Sequence, residues 1–428
     1  MRAWHFTETA YPYLPPANEY PSIRVTLPNK HYDPVKGAAL YDRYIDEWLI
    51  AEDEGLEIML NEHHQTATCV DPAGPLMLAA MARLSTKARL LILGNPLANR
   101  RQPVRVAEEM AMIDVLSKGR LEAGMVRGVP YELSPANSNP VRMNERFWEA
   151  MDMIVTAWTS HDGPVSHEGR FFHHRNINIW PRCYQDPHPP IWVSTTSTGG
   201  AKQVGGRGYT QATFLTGFKE TRRIYESYRQ GWREAGLGND VPIDRLAYAA
   251  IVYVGDTEAE AYAGAEKLLW YVTANKVAPQ FVNPPGYVPV PANVQILRGA
   301  EHPLSQFARG ASVEAAIEAG FMMAGTPDQV YEQFKRHYDY VGGYGHLLIM
   351  GQAGFLEHDE TVRGIRNFAR EVYPRLQEEF PDTTVSGNFG DVPPEPPRDS
   401  IPAPGEDHVA EEAGDAANMT PLGAARGA

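Results

Sequence analysis

The chain has few cysteines and few positive charges for its length. Of 428 residues only Cys69 and Cys183 are cysteines, which excludes a disulfide scaffold and a cysteine-rich zinc or iron–sulfur module. The net charge is −14, so nucleic acid is not expected as a partner, because phosphate binding requires a positive surface. No run of about 18 apolar residues occurs, and MRAWHFTETAYPYLPP lacks the apolar stretch of a secretory signal. We therefore expect a cytoplasmic protein without a membrane partner.

The composition is that of a folded chain except at the C-terminal end. Hydrophobic residues make up 43% of the sequence and aromatic residues 10%. From Asp382 to Ala428, by contrast, nine acidic side chains accompany two arginines, and VPPEPPRDSIPAPGED contains six prolines. Such a segment has too little apolar surface to offset the entropy lost on ordering. We expect one domain over residues 1–380 and a flexible solvated tail over 381–428, with packing of the tail on a neighbouring subunit as the alternative.

Short apolar strands alternate with amphipathic helices through the first 380 residues. Eight segments are typical of buried parallel strands: Ala3–Thr7, Glu57–Asn61, Arg89–Leu93, Arg120–Met125, Ile191–Ser194, Gln211–Leu215, Leu246–Val254 and His346–Met350. Asp71-Pro72 and Thr326-Pro327 are typical of helix starts. Strict alternation favours a doubly wound sheet or a closed (β/α)8 barrel. Eight strands, and no G-x-G-x-x-G after the first strand, favour the TIM barrel.

Two stretches interrupt this alternation. Residues 10–36 follow the first strand, and residues 277–320 follow the seventh. Both are rich in proline, and barrel insertions of this length usually cover the active site at the C-terminal ends of the strands. We therefore expect both stretches at the mouth of the barrel.

Polar residues follow four of the predicted strands, at the barrel end where TIM-barrel enzymes carry their chemistry. They are Asn61, Glu62, His63 and His64, then Gly94 and Asn95, then Arg127, Gly128 and Tyr131, and finally Ser194 to Gly200. The last group combines hydroxyls and glycines before a helix, which suits a phosphate, and Arg127 can add a charge-assisted contact. A loop whose hydroxyls only cap the helix is the alternative.

The histidines do not predict a metal site. Adjacent residues of a strand point to opposite faces, so neither His63 and His64 nor His173 and His174 favour a shared ion. A purely structural histidine is the alternative reading for each of them. Trp4 and Phe6 alternate with His5, which places both aromatic rings in the barrel interior.

Three blocks of the sequence resemble the bacterial luciferase-like flavin monooxygenase family. They are EHH at 62–64, QPVRVAEEMAMIDVLSKGRLEAGMVRG at 102–128 and AGTPDQVYEQFKRHYDYVGGYGHLLIM at 324–350. The resemblance covers roughly residues 1–376 and is strongest from Pro103 to Gly128. It implies a (β/α)8 barrel with FMN at its C-terminal mouth, assembled as a homodimer or higher homo-oligomer. The luciferase subunit has a cysteine where this chain has Val126, which argues against light emission and a long-chain aldehyde substrate.

The resemblance also implies roles for single residues. His63 matches the histidine that acts as acid or base beside the flavin, and Glu62 matches the carboxylate before it. Gly94-Asn95 falls where the family often has a non-prolyl cis peptide bond against the flavin ring. The phosphate contacts match four residues, Arg127, Ser194, Thr195 and Thr198. The further candidates for cofactor binding are Asn61, Gly128 and Tyr131.

Together these features predict an FMN-dependent monooxygenase that uses reduced flavin and O2 to oxygenate a small organic substrate. A separate flavin reductase is expected as a partner, since no dinucleotide fingerprint is present to hold a nicotinamide cofactor. The Pro- and Tyr-rich insertions suggest an apolar or aromatic substrate. Two alternatives stay open: a deazaflavin-dependent oxidoreductase that transfers hydride, and a non-catalytic flavin-binding protein.

Overall fold

Parallel strands form the centre of the molecule. The computed structural model describes residues 1–273, 281, 283–288, 290, 293–294, 298, 312–381 and 385–386. The strands in the described residues are β1 (Arg2–Thr7), β2 (Glu57–Leu60), β3 (Leu90–Pro96), β4 (Leu121–Val126), β5 (Val165–Glu168), β6 (His173–Ile177), β7 (Ile191–Ser194), β8 (Thr210–Phe214), β9 (Val241–Pro242), β10 (Leu246–Val254), β11 (Met322–Gly325), β12 (His346–Gln352) and β13 (Val385–Ser386).

Eight of these strands close into a ring. Their order is β10, β12, β1, β2, β3, β4, β7 and β8, and β8 pairs again with β10 from Leu246↔Gln211 to Ala249↔Phe214. Every pairing in the ring is parallel. The predicted (β/α)8 TIM barrel is therefore confirmed, and all eight predicted strands belong to it.

Helices surround the ring. The described α-helices are α1 (Pro34–Asp53), α2 (Gly74–Leu84), α3 (Pro103–Leu116), α4 (Met143–Thr159), α5 (Thr198–Gly206), α6 (Gly217–Glu234), α7 (Glu258–Thr273), α8 (Val313–Ala319), α9 (Pro327–Val341), α10 (His358–Asn367) and α11 (Tyr373–Glu379). A π-helical turn, Phe368–Val372, joins the last two. No helix of the described residues is long and apolar enough to cross a membrane.

Apolar side chains alternate between the barrel interior and the helical layer. Trp4, Phe6 and Leu91 pack inside the barrel, whereas their neighbours Ala3 and Leu90 pack against the helices. This alternation follows from the two-residue period of a strand. The predicted interior position of Trp4 and Phe6 is confirmed.

Helices α5 and α6 approach each other backbone to backbone. A Cβ on Gly205 would lie 2.2 Å from the Tyr228 carbonyl oxygen, and one on Gly231 would lie 2.0 Å from the Lys202 carbonyl oxygen. Only glycine fits such an approach. The position of α5, whose N-terminus faces the barrel mouth after β7, is therefore set by direct contact with α6.

Several details differ from the sequence expectations. Strand β11 was not predicted; it pairs with Ile251–Val254 of β10 outside the ring. The antiparallel β5–β6 hairpin was also missed. Helix α2 begins at Gly74 rather than at Asp71-Pro72, and the peptide N–H of Ala73 hydrogen-bonds to the buried Asp71 carboxylate instead.

The insertions and the tail are described only in part. The first insertion ends at Asp33, not at residue 36, because the Asp33 carboxylate caps α1 by accepting from the Val35 and Lys36 N–H groups. Regular structure returns at Val313, within the predicted second insertion, most of which lies outside the described residues. The predicted tail also lies outside them, apart from Pro381 and β13, whose two residues pair antiparallel with β9.

Candidate functional site

A small pocket joins the end of β4 to the turn after β7. Arg127 from the first segment and Ser194, Thr195 and Ser197 from the second line it together. Arg127 is buried, and its guanidinium lies over the ring of Tyr287, 4.4 Å from the centroid. The cation and the hydroxyls that the sequence placed on neighbouring strands therefore share one cavity.

The turn after β7 has the features of an anion cradle. Ser197 caps α5 by accepting from the Gly200 N–H at 2.9 Å. A Cβ on Gly200 would lie 2.6 Å from the Thr195 hydroxyl and 2.7 Å from the Ser197 hydroxyl, so a side chain would fill the concavity. The buried Thr196 hydroxyl has no hydrogen-bond partner among the described residues. Hydroxyl donors, a helix N-terminus and a cation together fit a phosphate group.

Two residues predicted to contact the cofactor, Asn95 and Thr198, do not line this pocket. Thr198 is the first residue of α5 and is not among the residues that line the pocket. Ser197 lines it instead; the sequence analysis included Ser197 in the phosphate-like turn but did not single it out. The Asn95 side chain donates to the Gly124 carbonyl oxygen at 3.2 Å and to the Met110 sulfur at 3.7 Å, so it lies between the strands and α3 rather than at the mouth.

The non-prolyl cis peptide bond is Leu93–Gly94, one bond before the predicted Gly94-Asn95. At this point the β3–β4 register shifts between Ile92 and Asn95. Gly94 packs directly on β4, since a Cβ there would lie 2.8 Å from the Gly124 carbonyl oxygen. Because β3 and β4 are in close contact here, both strands need a glycine, Gly94 on β3 and Gly124 on β4.

His63 is oriented by two residues from the loop after β4. Its Nδ1 lies 3.0 Å from Glu132 Oε1 and 3.0 Å from the Tyr131 hydroxyl, and Glu132 Oε1 also accepts from the His64 N–H at 3.0 Å. An ionised carboxylate only accepts hydrogen bonds, so Nδ1 carries the proton. No described residue hydrogen-bonds to Nε2 of His63, whose side chain is 18% exposed. Nε2 is thus the ring nitrogen of His63 that the described residues leave for a ligand.

Glu62 faces the other way and belongs to a second polar cluster. Its Oε1 contacts His64 Nε2 at 2.8 Å and accepts from Arg100 Nη2. Burial opposes the charged form of His64, but the hydrogen bond and charge of Glu62 outweigh it and raise the pKa of His64. Burial, and then the charge of Glu62, raise the pKa of Asp71 to about 7. Glu62 therefore lies beside His63 in sequence but is paired within a separate network.

Glu8 lies at the end of β1 against Asn61 at the end of β2. The Asn61 amide donates to Glu8 Oε2 at 2.9 Å, and Asn61 Oδ1 lies 3.6 Å from the Cys69 sulfur. Burial raises the pKa of Glu8, while His63 and Arg24 act in the opposite direction. Asn61 was a predicted cofactor contact; the structure joins its side chain to a carboxylate that the sequence analysis did not single out.

Arg24 comes from the first insertion and is 1% exposed. Its Nε donates to the Thr68 hydroxyl at 3.0 Å. Its guanidinium lies 5.2 Å from the centroid of the Tyr131 ring and 5.3 Å from that of Tyr271. Arg24 and Glu8 carry no motif, and only the observation that insertions cover the mouth could have drawn attention to them.

Comparison with known proteins gives related sequences and folds. The sequence profile described as luciferase-like monooxygenase matches residues 24–344. An uncharacterized protein of Sinorhizobium fredii is 28% identical over 370 residues, covering 83% of this chain and all of the relative. The oxygenase component of flavin-dependent trigonelline monooxygenase from Acinetobacter baylyi is 27% identical over 235 residues, covering 54% of this chain and 63% of the relative.

Solved structures share the fold at low sequence identity. The FMN complex of the oxygenating constituent of 3,6-diketocamphane monooxygenase from Pseudomonas putida superimposes with a TM-score of 0.65 at 18% identity, over 88% of this chain and 98% of that chain. An F420-dependent secondary alcohol dehydrogenase superimposes with a TM-score of 0.62 at 18% identity, over 87% of this chain and 98% of that one. Because the family profile spans well over half of the sequence, this chain belongs to the luciferase-like monooxygenase family.

Proposed function

We propose that the protein is the oxygenase component of a two-component, FMN-dependent monooxygenase that acts on a small organic substrate. The observation that carries the proposal is the pocket shared by Arg127, Ser194, Thr195 and Ser197. The Gly200 concavity and the α5 N-terminus fit a ribityl phosphate. The relatives support the same assignment, since one is the oxygenase component of a flavin-dependent enzyme and one solved structure holds FMN.

The loop after β4 connects the two ends of the proposed site. Arg127 begins it at the phosphate pocket, and Tyr131 and Glu132 end it against His63. The residue that would hold the FMN phosphate and the residues that orient His63 therefore belong to one short segment of the chain. When bound, reduced flavin supplies the electrons for activating O2, and the chain supplies binding, orientation and proton control.

His63 is the proposed proton-handling residue. Glu132 and Tyr131 hold Nδ1, so Nε2 is the nitrogen that accepts or returns a proton at the reacting atoms. Glu132 is a positioning residue, because it contacts His63 and the His64 N–H rather than the mouth. Glu62 was a catalytic candidate from the sequence; we assign it instead to holding His64 and Arg100.

The reductase partner is proposed on the same basis. The chain contains no G-x-G-x-x-G after its first strand, so reduced FMN is expected to arrive from a separate enzyme. The test measures turnover with FMN that has been reduced chemically and with FMN that has been reduced by an unrelated reductase. Turnover with both sources supports transfer of free reduced flavin.

A deazaflavin-dependent dehydrogenase is the second candidate, because an F420-dependent enzyme shares the fold. The experiment that separates the two uses the FMN-loaded protein, a source of reduced FMN, ¹⁸O2 and a panel of small organic substrates. Incorporation of one ¹⁸O atom per product, with matching oxygen uptake, supports the monooxygenase. Hydride transfer from reduced F420 without oxygen uptake supports the second candidate, and flavin binding without either reaction contradicts both.

A further inference from the structure

The proposed mechanism leaves one buried charge at the mouth without a task. Arg24 is 1% exposed, and an arginine stays protonated even when it is buried. Removing such an ion from water costs several kcal/mol unless partners replace the water. The described surroundings replace only part of it: the Thr68 hydroxyl accepts from Nε, the Tyr271 hydroxyl hydrogen-bonds to the guanidinium, and the rings of Tyr131 and Tyr271 lie beside it.

The guanidinium lacks an anionic partner in the part of the chain that the structure describes. Arg24 Nη2 is buried and has no hydrogen-bond partner among those residues. Glu8 is the acidic side chain whose charge acts on it, and the Tyr271 hydroxyl hydrogen-bonds to both Glu8 and Arg24. Glu8 Oε2 is bonded to Asn61, and no direct ion pair joins Glu8 to Arg24 among the described residues. A buried donor without a partner is costly, so this N–H group calls for a hydrogen-bond acceptor that the described residues do not supply.

The position of Arg24 connects it to the proposed reaction centre. Tyr131 presents its ring to the Arg24 guanidinium and its hydroxyl to His63 Nδ1, so one side chain separates the two residues. Thr68 lies in the loop that follows His63 and His64. Arg24 therefore belongs to the His63 side of the mouth, away from the Arg127 phosphate pocket.

We propose that Arg24 binds a carboxylate of the substrate and that the enzyme therefore acts on an organic acid. The inference rests on the proposed monooxygenase for its reaction but not for its ligand chemistry. A guanidinium offers parallel N–H donors that match the two oxygens of a carboxylate. The rings of Tyr131 and Tyr271 keep the guanidinium in place and exclude water from it.

The test compares carboxylates with amides of the same shape. Acetate, butyrate and benzoate are titrated into the FMN-loaded protein by calorimetry at constant ionic strength, each beside acetamide, butyramide or benzamide. We expect at least one carboxylate to bind at least about tenfold more tightly than its amide. A hydrogen bond to a charged group contributes enough free energy for a difference of this size. Equal binding within every pair, or no binding of any carboxylate, overturns the proposal.

Two substitutions and a control assign the preference to Arg24. Arg24→Gln should abolish the carboxylate preference and Arg24→Lys should retain part of it, because Lys keeps the charge but loses the planar fork. Arg229→Gln removes another buried arginine, one that donates to the Gly342 carbonyl oxygen, and should leave the preference unchanged. A purely structural Arg24 predicts that its substitution weakens carboxylate and amide equally. If Arg24→Gln fails to fold, the proposal is tested by Arg24→Lys and by the comparison of carboxylate with amide binding in the wild type.

FMN binding is measured separately by flavin fluorescence. A carboxylate preference that depends on Arg24 in a protein that does not bind FMN would uphold the anion site and remove the proposed function. FMN-dependent oxygenation without a carboxylate preference would remove only the anion site.

Discussion

Substitution of Arg127 tests the cofactor site through the phosphate alone. Arg127→Gln removes the charge and keeps a side chain of similar length. Arg127 is buried beside the Ser194–Thr195 hydroxyls, so a phosphate contact there is only weakly screened by water. A hydrogen bond to a charged group contributes about 1.5–3 kcal/mol, so the Kd for FMN should rise by about 10- to 100-fold.

Riboflavin provides the internal comparison, because it has the same ring and ribityl chain without the phosphate. Its Kd should stay within about twofold of the wild-type value in Arg127→Gln, since about 0.4 kcal/mol corresponds to twofold. Both ligands are measured by quenching of flavin fluorescence, and Arg375→Gln, a surface arginine paired with Asp328, serves as the control. An unchanged Kd for FMN, or an equal loss for FMN and riboflavin, would refute the assignment of Arg127 to the phosphate.

Three further substitutions test other parts of the structure. His63→Ala should lower the rate of product formation by about 10²- to 10⁴-fold with FMN binding retained, whereas the exposed His173→Ala should not; equal rates would remove the proton-handling role. Asp71→Asn should make the unfolding free energy less dependent on pH. The pKa of Asp71 is raised to about 7, so its protonated form favours the fold and this stability is lost as pH rises from about 4 through 7. The unfolding free energy of Asp71→Asn, measured in urea, should therefore exceed that of the wild type by up to about 4 kcal/mol near pH 8. A higher unfolding free energy of the variant at pH 4 instead would contradict this sign. Gly231→Ala should destabilise the protein by about 1–3 kcal/mol, because its Cβ would lie 2.0 Å from the Lys202 carbonyl oxygen. Gly199→Ala is the control, because Gly199 is also helical but has no atom within 4 Å of its Cβ.

The barrel was predictable because its signals are local. Short apolar runs repeat eight times, and Thr326-Pro327 marks the start of α9 correctly. Asp71-Pro72 gives the same local signal, but there the aspartate is buried beside Glu62 and α2 starts three residues later. Strand β11 was missed because it directly follows the predicted second insertion, which interrupts the alternation of strands and helices.

The site residues were predictable only where a local stretch of sequence indicates their chemistry. Ser194 and Thr195 lie in a turn whose composition indicates an anion, and Arg127 lies in the block that resembles the family. The pairing of His63 with Glu132 joins residues 69 positions apart, and no local pattern encodes it. Arg24 and Glu8 meet through the insertion and the end of β1, so their proximity depends on how the insertion folds back.

The backbone contact between α5 and α6 limits how the sequence of such a protein can vary during evolution. Because the close backbone contact at Gly205 and Gly231 fixes the position of α5, the helix that begins at the anion cradle, that half of the mouth tolerates little variation. The opposite half includes Arg24 from the first insertion, a segment that pairs with no strand of the ring among the described residues. We therefore expect relatives with different substrates to differ mainly in the first insertion and to keep glycine at the positions of Gly205 and Gly231.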